Sequence, residues 1–166
     1  MAEKTTRNVQ GAYPVAQILP PLNPFLGLLP KALWKRVKDF FTFTVEWLPL
    51  AISESASKTF STQGDSDFLI LMGTRVVSTV DNLTATAFPP MLVKIEDSGS
   101  GRNMMDKAVH LENLFGTAQQ PSVWPFPKLI RANSTVTVTL QNLSAASAFN
   151  ARLSFIGFKI FGMTEQ

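Results

Sequence analysis

The chain has no cysteine and a single histidine, His110. Without cysteine there are no disulfides, no thiolate nucleophile and no cysteine-ligated zinc or iron–sulfur centre. One histidine gives a metal site or a Ser–His–Asp triad little to build on, and no Gly-x-Ser-x-Gly elbow is present. Charge is scarce as well: 16% of residues are Asp, Glu, Lys or Arg, against about 25% in ordinary globular chains. A surface that poor in charge is expected to be covered in part by a partner. The 15 basic residues exceed the 12 acidic ones by a scattered margin, net +3, which does not make a nucleic-acid footprint. No apolar run approaches the ~18 residues of a membrane-spanning helix. Met1 to Gln17 is polar, with Glu3, Lys4 and Arg7, and lacks the apolar stretch of a signal peptide. The expectation is a soluble protein that takes no membrane, no specific nucleic acid and no cofactor.

What is present divides the chain at about residue 38. The first part, 1–38, holds Pro14, Pro20, Pro21, Pro24 and Pro30 of the 11 prolines. Proline fixes φ, removes an N–H and pushes its predecessor toward extended geometry, so this stretch reads as an extended arm. It is not a solvated linker. Ile18, Leu19, Leu22, Phe25, Leu26, Leu28 and Leu29 carry apolar surface that has to lie on something. Around 30–38 a short helix is predicted, with Pro30 at its first position and Leu33, Trp34 and Val37 opposite Lys31, Lys35 and Lys38. At about two turns, packing of that stripe on the body is favoured over membrane binding.

From 39 to 166 the period changes to two. Phe41, Phe43, Val45 and Trp47 alternate with polar residues up to Pro49; Lys58 to Thr62 is a shorter strand candidate. Asp67 to Val80 is one bent strand or two, broken at Gly73. Met91, Val93 and Ile95 mark another, as do Val136, Val138 and Leu140. The last, Arg152 to Phe161, places Leu153 and Phe155 on one face and Ile156, Phe158 and Ile160 on the other. The polar loop Asn142 to Ala148 is expected to join these last two into a hairpin. Six to eight such strands with little helical signal predict an all-β, antiparallel β-sandwich, a jelly roll in preference to an immunoglobulin-like fold. An apolar outward face on the last strand, including Ile156 and Phe158, points to cover by the arm or by a neighbour.

Candidate chemistry is sparse. His110 and Glu112, two apart, would share a face of a strand, but two ligands do not make a zinc site. Asp65 and Asp67 alternate as in some calcium loops, and a turn explains them equally well. The run Glu96 to Asn103 is glycine-rich but lacks the Gly-Lys-Ser/Thr ending of a phosphate loop. Asn82, Asn133 and Asn142 head Asn-x-Ser/Thr triplets, read here as turn chemistry. In Gln120 to Pro127 the prolines forbid a central strand, while Trp124 and Phe126 offer large apolar faces. These rings are expected to plug the sandwich or meet another subunit, with a sugar-stacking platform as the alternative.

The block Trp124 to Ser134, the Thr-rich strand Val136 to Asn142 and the ending Leu153 to Lys159 together resemble capsid cement (decoration) proteins of tailed phages, small jelly-roll components of the virion. That resemblance implies a non-enzymatic structural protein on the outside of a capsid. It would be soluble in the host cytoplasm before assembly, bound to the major capsid protein or other virion proteins, and a dimer or trimer. On this reading the arm residues named above with Trp34, and Trp124, Phe126, Ile156 and Phe158 on the body, form the binding surfaces. The alternative is a carbohydrate-binding module of a receptor-binding or head-fibre protein.

Overall fold

A computed structural model describes residues 37–81, 86, 88–99 and 104–161. The apolar arm residues Ile18 to Leu29 and Trp34 lie outside them. The described chain is an antiparallel β-sandwich of two four-stranded sheets. Its strands are β1 (Val37–Leu50), β2 (Ser55–Ser61), β3 (Ser66–Thr79), β4 (Met91–Asp97), β5 (Val109–His110), β6 (Ser122–Ile130), β7 (Thr135–Asn142) and β8 (Phe149–Phe161). A 3-10 turn, Leu111–Asn113, follows β5. The first sheet has the order β1-β8-β3-β6 and the second β2-β7-β4-β5.

Period-two patterning sorts the side chains. In β7, Val136, Val138 and Leu140 are fully buried while the threonines between them are half-buried. In β8, Leu153 and Phe155 enter the core. Phe155 sits near its centre, with Phe60, Phe115 and Trp124 rings at 5.1, 5.2 and 6.3 Å. Edge-to-face packing of this kind adds to the area term, which for a buried aromatic is the larger contribution.

Three expectations are corrected. The strands β7 and β8 do not form a hairpin: β7 pairs with β2 and β4, and β8 with β1 and β3, in opposite sheets. The polar loop between them crosses from one sheet to the other. Asn142 holds that crossing, its buried Nδ2 donating to Ala51 O and Ser147 O, both at 2.9 Å. Second, β1 begins at Val37 and does not stop at Pro49, because the ladder with β8 is interrupted between Trp47 and Leu50 and no paired N–H is lost there. Third, the irregularity in β3 falls between Ile70 and Met72, not at Gly73. Gly73 has a different cause: a Cβ there would lie 2.7 Å from the Phe115 ring and 2.9 Å from Leu114 O. The prolines of Gln120 to Pro127 act as expected: Ser122–Ile130 is a strand, but at the sheet edge and not in a central position. Its pairing with β3 jumps from Val123 to Lys128, across Pro125 and Pro127.

Candidate functional site

The prolines of β6 shape a groove. Between Val123 and Lys128 the strand leaves β3, and Trp124 turns inward. Its indole Nε1 donates to Leu114 O at 3.0 Å, and its ring is 7% exposed. Beside it a cavity of about 370 Å³ opens between β6, Ile95 of β4, Met104, Met105 and Leu114. Phe126 stands at the rim, 83% exposed. Lys128 reaches the same cavity and lies 3.9 Å from the buried Asp97 Oδ2, an oxygen with no hydrogen-bond partner. The groove is thus mainly apolar, with two methionines and one cation in its lining.

The second surface is the outward face of the β1-β8-β3-β6 sheet. Phe68 and Ile70 enter the core, so alternation sends Leu69 outward. Register then lines up Phe40, Phe158, Leu69 and Leu129 across all four strands. The next row is Thr42, Ile156, Met72 and Val123. Farther along β1, the rows turn polar: Thr44 bonds Ser154 at 3.0 Å, and Arg152 pairs with Glu46 at 2.9 Å. One end of this face is therefore apolar and the other wet. Leu69 and Ile160, both outward by alternation, are 2% and 0% exposed and stand outside the core cluster. Every described helix and strand belongs to the sandwich itself, so none forms a third layer over that end.

The polar candidates separate. His110 ends β5, and Glu112 sits in the following 3-10 turn, so they do not share a strand face. Glu112 instead faces Arg75 at 3.7 Å. Burial holds the Arg75 guanidinium below its ordinary value, and the Glu112 charge pulls it back up. Asp65 is exposed in a turn, whereas Asp67 is buried, accepts from Ala132 N at 2.7 Å and lies 3.7 Å from Arg131. Among the described residues no three His, Cys, Asp or Glu side chains gather to hold a metal. Of the Asn-x-Ser/Thr positions, Asn133 takes φ 58° in a turn and Asn142 is the buried clamp, while Asn82 lies outside the described residues. Residues 100–103 of the glycine-rich run also lie outside them.

No protein-family model matches the chain, and no curated protein matches it by sequence.

Of the body residues expected to bind, Ile156 and Phe158 share the outward face, and Trp124 and Phe126 share the groove. Leu69, Met72 and Leu129 on that face, and Met104 and Met105 in the groove, were not singled out from sequence. The run from Phe68 to Met72 is apolar throughout, so it carries no alternation from which an outward leucine can be read.

Proposed function

We propose that the protein is a virion structural protein of the cement type, binding the outside of a phage capsid and stabilising the shell, and that its sandwich is a jelly roll. The strand order supports the second part. Strands pair as β1 with β8, β2 with β7, β3 with β6 and β4 with β5, a nested arrangement of the kind used in viral capsid and lectin domains. The observation that carries the first part is the outward face of the β1-β8-β3-β6 sheet. A sheet with one face in water has no need of Phe40, Phe158, Leu69 and Leu129 in one row. The low charge content argues the same way, as does the apolar, proline-rich arm sequence that precedes β1 in the chain.

The experiment is co-sedimentation of the full chain with tailed-phage shells. The chain is expected to pellet with shells, and to stay in the supernatant after deletion of residues 1–38 or after Phe158→Glu. Absence of the full chain from the shell pellet would overturn the reading.

The exposed Phe126 ring favours a second reading, a glycan-binding surface. Trp124, buried and with its N–H already bonded, offers no flat face to a sugar, which leaves Phe126 alone. Retention of a glycan by the wild type and its loss in Phe126→Ala would favour that reading over the first.

A further inference from the structure

Two open sheets have four edges, and three of them are protected against pairing. The edge strand β6 carries Pro125 and Pro127 and breaks its own ladder between Val123 and Lys128. The β5 edge is two residues long. In β2, Lys58 stands opposite the core residue Val138, so its charge sits at an inward-facing position of that edge. Proline, shortness and an inward-pointing charge are the recognised ways of blunting an edge strand. The fourth edge, β1, has none of them between Phe40 and Trp47; Asp39, on the inward-facing side with Phe41 and Phe43, stands just before that stretch. There its ladder with β8 runs without a shift, and the sequence Phe40–Phe41–Thr42–Phe43–Thr44–Val45 is aromatic and β-branched throughout. Among the described residues β1 pairs with β8 alone, so alternate residues turn their N–H and C=O groups away from the sheet.

We propose that β1 is a self-association edge, pairing antiparallel with β1 of a second copy about a two-fold axis at Phe43. Two four-stranded sheets then become one continuous sheet. In this register Thr42 faces Thr44 of the second copy, a favourable cross-strand pair, while Phe40 faces Glu46 and Asp39 faces Trp47. No like charges meet. The interface is isologous, as a two-fold requires. Phe40, 67% exposed although in edge contact with Phe158 at 6.1 Å, gains cover from the added strand. The arm of a neighbour is a poorer occupant of this edge, because Pro20, Pro21 and Pro24 remove the donors that a regular ladder needs. The pairing depends on the edge alone and is independent of what the assembled protein binds.

The test is solution mass by light scattering, on the full chain. The wild type is expected at twice the chain mass of 18.3 kDa. Thr42 and Thr44 are exposed, so T42K/T44K and T42E/T44E keep the fold but set like charges opposite each other across the axis. Each variant alone is expected to halve the mass, and an equimolar mixture of the two is expected to restore it. A monomeric or trimeric wild type overturns the proposal, as does a T42K/T44K variant that keeps the wild-type mass. Should the variants not fold, amide exchange on the unaltered chain decides. Protection of consecutive amides from Phe40 to Trp47 means a strand paired on both sides; protection of alternate amides only overturns the pairing.

Discussion

Phe43 of β1 stacks on Phe60 of β2, with ring centroids 4.5 Å apart and planes 20° from parallel. Each residue belongs to the edge strand of its own sheet, so the pair closes one side of the sandwich. Phe68 meets Phe43 edge-on at 4.9 Å and links the pair to β3. Phe60→Ala is therefore expected to cost about 3–4 kcal/mol, with Phe43→Ala costing less because Phe43 is only half-buried. Urea unfolding reads both; a loss for Phe60→Ala no larger than that of an exposed-site variant would contradict this packing.

Gly73 gives a second expectation. Its place opposite Phe115 leaves no room for a methyl group, and one of the crowding atoms is the backbone oxygen of Leu114. The segment that crowds it is tied down, since Gly116 N donates to Gly73 O at 3.2 Å and Arg75 N to Gly116 O at 2.8 Å. Gly73→Ala should lower stability by about 1–3 kcal/mol. An unchanged thermal midpoint would mean that residues 114–116 can move aside.

The crossing loop after β7 depends on Asn142. Its buried side chain donates to two carbonyls and accepts from Ser144 N at 2.9 Å. Asn142→Ala removes all three bonds at once and should cost about 1–3 kcal/mol, on the usual scale for lost hydrogen bonds of a buried side chain. Asn142→Asp keeps the acceptor but loses both donated bonds, so it should not restore stability. Denaturation of the two variants side by side checks this, and recovery by Asp would rule the donated bonds unimportant.

Phe126 tests surface rather than core. With its ring almost wholly in solvent, Phe126→Ser should leave stability within about 0.5 kcal/mol of wild type. If the groove contributes to shell binding, the same variant should reduce the fraction that pellets with shells. A drop in unfolding midpoint comparable to that of Phe60→Ala would show that the ring is packed, not presented.

Sequence alone determined the class of this protein. Alternation over β1, β4, β7 and β8 is strong because each strand has a buried face and a wetter one, and hydrophobic burial writes that period into the chain. The absence of cysteine and the single histidine limited the chemistry before any fold was known, and the apolar face of β8 was legible from Ile156 and Phe158. Tertiary structure decided which strands pair. Pairings such as Phe40 with Phe158 join residues far apart in the chain, and no local signal encodes a partner at that distance, which is why β7 and β8, neighbours in sequence, were expected as a hairpin and lie in opposite sheets. It also decided that Trp124 is a core residue while Phe126 is presented. Both are aromatic and proline-flanked, and only the departure of β6 from β3 turns one ring inward and leaves the other in water.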